Sequence, residues 1–136
     1  MRGFNAELID QLRKRVEEVS VGTARVFGGD AEVEWLFSSP AMYCDADFTD
    51  DVVRYATDVV GAERMIPKKE RATGSEDFAY FGQKVPSQIF WLGAGVEDKS
   101  KRISNHNPKV LFSEEALPYG AAVYAQCAIQ WLKEHK

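Results

Sequence analysis

Gly74-Ser75-Glu76-Asp77-Phe78-Ala79-Tyr80-Phe81, Ile89-Phe90-Trp91-Leu92-Gly93-Ala94-Gly95 and Asn105-His106-Asn107-Pro108 follow one another in a single stretch of the chain. The first block is a small-residue turn carrying two acids. The second is a continuous apolar run ending at glycines, which suits a strand buried on both faces. The third places a histidine in a polar loop, with a proline two residues later. Ligand sites of α/β proteins gather beyond the ends of buried strands, so the stretch predicts a strand, Ser87 to Leu92, with a loop-built site at its end.

Helices flank this strand. Asn5 is a good N-cap, with Glu7 in the first turn, and Leu8, Ile9, Leu12, Val16, Val19 and Thr23 recur at three- and four-residue intervals. This stripe predicts a long helix with one buried face, stopped by Gly28-Gly29-Asp30. Ala31 to Phe37 alternates as a strand, with Val33, Trp35 and Phe37 on one face. Ser38-Ser39-Pro40 breaks the pattern and marks a domain boundary. Thr49 is expected to cap a second helix with Val52, Val53, Ala56, Val59 and Val60 inward, ended by Gly61. Arg64 to Ile66 suggests a short strand, and Lys68 to Thr73 a polar loop. Ser75 is placed to cap a short helix ending near Gly82. Ser113 should open a last helix that buries Ala122, Tyr124, Ala125, Ala128, Ile129, Trp131 and Leu132. The fold class is therefore α/β: long helices over a small mixed sheet.

Bulk properties exclude several classes. A chain of 136 residues can bury one real core. Apolar residues at 45% and charged residues at 28% are ordinary globular values. A net charge of −4 with interspersed signs argues against a nucleic-acid partner. No apolar run approaches the roughly 18 residues of a membrane span. Cys44 and Cys127 stand in no metal-binding spacing, which favours a reducing, cytoplasmic setting.

Each candidate site residue has a plain alternative role. His106 can ligate a metal through a neutral imidazole, or simply be a solvated loop histidine. Glu76 and Asp77 can complement a helix dipole, or help Gly74 and Ser75 hold an anionic substrate group. Phe78, Tyr80, Phe81, Phe90 and Trp91 serve equally as core or as the wall of an acyl pocket.

Three ordered blocks bear on the role of His106. Gly74-Ser75-Glu76-Asp77-Phe78-Ala79 resembles the Gly-x-Glu-Asp-Phe-Ala block of the amidohydrolase branch of aminoacylase-like dinuclear metallopeptidases, which includes hippurate, N-acyl-amino-acid and indole-acetyl-amino-acid hydrolases. Phe90-Trp91-Leu92-Gly93-Ala94-Gly95 is similar to its strand ending in Leu-Gly-x-Gly. His106-Asn107-Pro108, followed by Glu114-Glu115-Ala116-Leu117-Pro118-Tyr119-Gly120-Ala121-Ala122, is similar to its His-x-Pro block and tail. Tyr43-Cys44-Asp45 departs from the Val-Asn-Asp usual there.

The resemblance implies that His106 is a metal ligand and that Gly74, Ser75 and Glu76 lie on the substrate side. It implies two divalent ions, zinc or manganese, in the complete enzyme, which polarise the carbonyl of an N-acyl amino acid and activate a water while a glutamate moves the proton. Residues 1–38 are then the last helix and strand of a ferredoxin-like satellite domain used for dimerisation. Residues 39–136 are the C-terminal part of the catalytic domain, an incomplete sheet with its helices.

The family's other ligands and its general-base glutamate have no counterpart here. The expectation is a chain with no catalytic residue of its own, inactive alone. It should form homo-oligomers or associate with the missing N-terminal part. A non-catalytic interaction module derived from the same fold is the alternative, and a small regulatory ligand-binding domain a third possibility.

Overall fold

The computed structural model describes every residue except Lys68 and Lys69, so the start of the polar loop expected at Lys68 to Thr73 lies outside the described residues. The chain divides into two compact units, Met1–Tyr43 with Lys69–Pro86, and Cys44–Lys68 with Ser87–Lys136.

The first unit is built on α1, Ala6–Val26. Asn5 caps it as expected, its side chain accepting the Leu8 N–H at 2.9 Å. The C-terminus closes by a Schellman arrangement: Gly28 N–H donates to Arg25 O, and Gly29 N–H donates to Ala24 O, both at 3.0 Å. Gly28 sits at φ 77, a left-handed turn that glycine enters without a Cβ penalty. Ala31 to Phe37 then forms no ladder. Trp35 instead lies against α1, its Nε1–H donating to Glu17 Oε1 at 2.7 Å and its ring 5.7 Å from the Arg13 guanidinium. The stripe expected to be buried stays in solvent: Leu8, Leu12, Val16 and Val19 are exposed, and no residue of α1 is buried. Two tyrosine hydroxyls tie the later segments to the unit, Tyr43 donating to Phe4 O and Tyr80 to Ser38 O. The short α2, Ala79–Gly82, ends where expected but begins late.

The second unit is a helix pair. Helix α3, Ala46–Val60, starts before Thr49, because Asp45 supplies the cap and accepts the Phe48 N–H at 2.9 Å. Gly61 ends it at φ 81. Residues Arg64 to Ile66 make no strand, and Ala62–Arg64 is a 3₁₀ turn. Helix α4, Ala116–Glu134, begins after a turn at Ser113 and carries Pro118 in its first turn, where a missing N–H costs nothing. It packs on α3.

The buried faces match the expected ones in part: Val52 and Ala56 are inward as expected. On α3 Val52, Tyr55 and Ala56 are buried, while Val53 points out. On α4 the buried set is Ala116, Gly120 and Val123, while Tyr124, Ile129 and Leu132 are exposed. Tyr55 is the largest fully buried side chain of the pair. Complete burial of a valine such as Val52 or Val123 contributes about 1.5–3 kcal/mol.

The small mixed sheet is the principal correction. Among the described residues the only β pairing is an isolated antiparallel bridge between Gly95 and Phe112. Residues 87–92 carry the composition of a buried strand, but a ladder needs successive backbone partners, and the bond from Asp45 N–H to Ser87 O does not continue into one.

An ion-paired cluster joins the helix pair at one end. Tyr55 hydroxyl donates to Glu134 Oε2 at 2.7 Å, and Arg54 donates to both Glu134 oxygens at 3.0 and 2.7 Å. Asp51 accepts a further Arg54 bond at 2.7 Å. The Arg54 guanidinium, then the Tyr55 hydroxyl, hold the Glu134 carboxyl down from its ordinary 4.5 to about 2. A depressed folded-state pKa contributes stability that is complete above pH 4.5 and disappears as pH falls through about 2. Acid titration of thermal stability between those limits should therefore show a steeper loss in the wild type than in Glu134→Gln. Glu134 is 40% exposed, so the difference should shrink at high salt. Parallel curves for the two proteins would dismiss the cluster as a stabilising contact.

Candidate functional site

His106 stands on a loop between residues 87–92, which cover the helix pair, and the start of α4. Residues 87–92 lie along α3 and α4. Asp45 N–H donates to Ser87 O at 2.9 Å, and Thr49 hydroxyl to Gln88 Oε1 at 2.8 Å. The Phe90 ring sits 5.3 Å from that of Tyr124. A Cβ on Gly120 would lie 2.8 Å from Leu92 Cδ2, so the helix glycine admits the leucine. The Gly95–Phe112 bridge, with Ser113 N–H donating to Ala94 O at 2.8 Å, then closes the base of the loop.

The loop is internally bonded. Asp98 accepts the Ser100 N–H at 3.0 Å and its hydroxyl at 2.6 Å, bonds that with Lys101 hold the Asp98 carboxyl below the usual carboxylate range. Arg102 Nε–H donates to Val96 O at 2.7 Å and folds the side chain back over Gly95. An open hollow of about 270 Å³ lies beside it, with Trp91, Ile103 and Phe112 as apolar walls and Arg102 and Asn105 as polar ones.

His106 is exposed and has φ 66, the sole non-glycine residue at positive φ among the described residues. The left-handed region costs an L-residue roughly 1–2 kcal/mol. The next residue carries a turn: Asn107 Oδ1 accepts the Lys109 N–H at 2.9 Å, and Asn107 O accepts the Val110 N–H at 3.0 Å.

Gly74, Ser75 and Glu76 belong to the first unit and His106 to the second. All three are exposed and precede α2 without regular structure. The cap expected from Ser75 comes otherwise. No side chain bonds at the helix N-cap, Phe78, and Glu76 Oε1 accepts the Phe78 N–H at 3.1 Å. Phe78 stacks on Phe81 at 5.6 Å between centroids, so these aromatics serve local packing.

A protein metal centre needs at least three donors from the chain. Among the described residues no three His, Cys, Asp or Glu side chains come together. His106 offers one imidazole, and the donor set of this chain does not fit a metal centre by itself. No described helix is long and apolar enough to cross a membrane. Arg54 and Glu134 escaped the sequence reading, as did the capping bond of Asp45 and the turn bonds of Asn107. Only Asn107 had a clear signal, because Asn-Pro is a turn-initiating dipeptide.

The three blocks and their order define a class, and the match extends over most of the chain. Residues 4–130 match the model of peptidase family M20/M25/M40, and the chain belongs to that family, in its amidohydrolase branch. It is similar to the IAA-amino acid hydrolase ILR1-like 2 of Arabidopsis thaliana, 32% identical over 91% of this chain and 29% of the relative. It is similar also to the putative amidohydrolase YhaA of Bacillus subtilis, 32% identical over 96% of this chain and 33% of the relative. The N-acetyldiaminopimelate deacetylase of Streptococcus suis is 36% identical over 79% of this chain and 27% of the relative. The chain thus spans about a third of the length of the curated relatives it matches.

Replacing His106 by glycine removes the left-handed penalty and adds unfolded-state entropy of roughly 0.4–1 kcal/mol. The first effect is larger, so His106→Gly should raise unfolding stability by about 0.5–1 kcal/mol, while His106→Ala should leave it nearly unchanged. Urea denaturation of the three proteins measures this. A glycine variant less stable than the alanine one would contradict a left-handed backbone at this position.

Proposed function

We propose that this chain is the C-terminal part of a metal-dependent amidohydrolase that cleaves the amide bond of N-acyl or aryl-acyl amino acids. The observation that carries it is the family match over residues 4–130, which includes His106 at its left-handed position. The names of the relatives, IAA-amino acid hydrolase and N-acetyldiaminopimelate deacetylase, favour amides of amino acids as substrates. In this reading His106 supplies one ligand to a centre of two zinc or manganese ions whose other ligands, with the general-base glutamate, come from sequence outside this chain. Gly74, Ser75 and Glu76 lie on the substrate side. Residues 1–38 correspond to the last helix and strand of the satellite domain, the strand segment being without a ladder here, and residues 39–136 return to the catalytic domain. A cytoplasmic setting accords with two free cysteines, Cys44 and Cys127.

The test replaces the corresponding C-terminal part of the Bacillus subtilis relative with this chain. The chimera should release amino acids from N-acyl substrates when supplied with manganese or zinc, and the isolated chain should release none. His106→Ala should lower the chimera's activity by more than about 100-fold, beyond the usual cost of removing an outer-shell partner. A folded, metal-loaded chimera that is inactive would favour a non-catalytic interaction module instead. Robust hydrolysis by the isolated chain would refute the division of the site between two parts of a protein.

Association is part of the same proposal. Leu8, Leu12, Val16 and Val19 form an uncovered apolar stripe, and Trp91 is 67% exposed beside an unladdered segment. Uncovered apolar faces of this kind mark contact surfaces. The isolated chain should form dimers or larger species in light scattering at high concentration. A monodisperse monomer across that range would remove homo-oligomerisation from the proposal.

A further inference from the structure

The left-handed backbone of His106 has a local cause one residue downstream. Asn107 precedes a proline, and the Pro108 ring disfavours helical φ and ψ at Asn107, pushing it toward extended backbone. Asn107 also stands first in a turn with proline second, the favoured places of both residue types. Its main-chain carbonyl closes that turn on Val110 N–H at 3.0 Å, and its side-chain oxygen closes a second ring on Lys109 N–H at 2.9 Å. Both acceptors lie on Asn107, so its orientation is fixed twice over. Upstream, Arg102 is held by the Val96 carbonyl and the loop base by the Gly95–Phe112 bridge. The chain must reverse between these two fixed parts, and His106 is where the positive φ falls.

We infer that Asn107 is a positioning residue whose side-chain turn holds His106 in the left-handed conformation and so sets the direction of its imidazole. For its purpose this rests on the proposed role of His106, but not for its geometry. An alanine at 107 keeps the main-chain bond to Val110 and loses the ring on Lys109. Aspartate keeps an acceptor oxygen in the same place. Position 107 is exposed, so neither replacement disturbs the helix pair.

Nuclear magnetic resonance on the full chain reads the consequence directly, because a positive φ brings a residue's amide proton close to its own Hα. His106 should give a strong intraresidue amide–Hα cross-peak in the wild type. Asn107→Ala should weaken it toward the intensity of ordinary loop residues, and Asn107→Asp should restore it. Retention of the full cross-peak in Asn107→Ala would overturn the inference, as would an aspartate variant that behaves like alanine. An Asn107→Ala chain that loses its helical circular dichroism would overturn it too, because a local loop device cannot carry the helices. No metal or substrate enters the measurement, so its failure is distinguishable from failure of the hydrolase reading.

Discussion

Burial of one tyrosine organises the second unit. Tyr55 is 1% exposed, and an interior tyrosine needs a partner for its hydroxyl. Glu134 at the end of α4 is that partner. A carboxylate in that position is tolerable because Arg54 caps it with two bonds, and Arg54 in turn is shared with Asp51. Its guanidinium also lies 4.4 Å from the Tyr55 ring centroid, so the cation covers the aromatic face from outside. The cluster brings the C-terminal end of α4 to the middle of α3. On α4 Ala116 and Gly120 are buried, and Leu92 enters the space at Gly120. Residues 87–92 therefore rest on a surface that Tyr55 fixes, and the His106 loop springs from the glycines that follow.

How legible this was from sequence depends on the kind of signal. End signals succeeded at Asn5, Gly28 and Gly61, which stop or start helices by local hydrogen bonding and backbone freedom encoded within a few residues, and failed at Thr49 and Ser75. Asp45 shows the same physics in a place where Thr49 competed for the role. Faces failed. Large apolar side chains on α4 drew the expected core toward Tyr124 and Ile129, whereas close packing selected Ala116, Gly120 and Val123. Hydropathy ranks residues by the area they could bury, and helix contact also depends on which residues are small enough to let backbones approach. The stripe of α1 was recognised correctly as a stripe, but its burial depends on a partner surface that periodicity does not specify.

The segment 87–92 shows where composition and pairing part. Ile89, Phe90, Trp91 and Leu92 report that a segment is to be covered, and Phe90 and Leu92 are indeed set on α4 through Tyr124 and Gly120. They say nothing about the edges. A ladder requires donors and acceptors from another strand at hydrogen-bond spacing, and one bridge at Gly95 cannot propagate without a longer neighbour. The covering was thus readable only in part, since Trp91 and Leu92 stay exposed, and the pairing of the edges was not readable.

The position of His106 carries the functional argument because local structure would choose differently. A left-handed residue is most easily glycine or asparagine. Asparagines flank the histidine on both sides, at 105 and 107, so a residue suited to that backbone is one register position away in either direction. Asn107 cannot take it, since Pro108 restricts the residue before it and the turn to Lys109 and Val110 occupies it. Asn105 faces the hollow beside Arg102 instead. The histidine is left with the unfavourable conformation and, being exposed, recovers no burial energy from it. Strain of this kind persists where surrounding structure over-determines it, and it concentrates at functional positions. In the proposed reading, an imidazole held out on a bonded loop at a cost to the fold serves what the ring meets in the complete enzyme and not the chain's own stability.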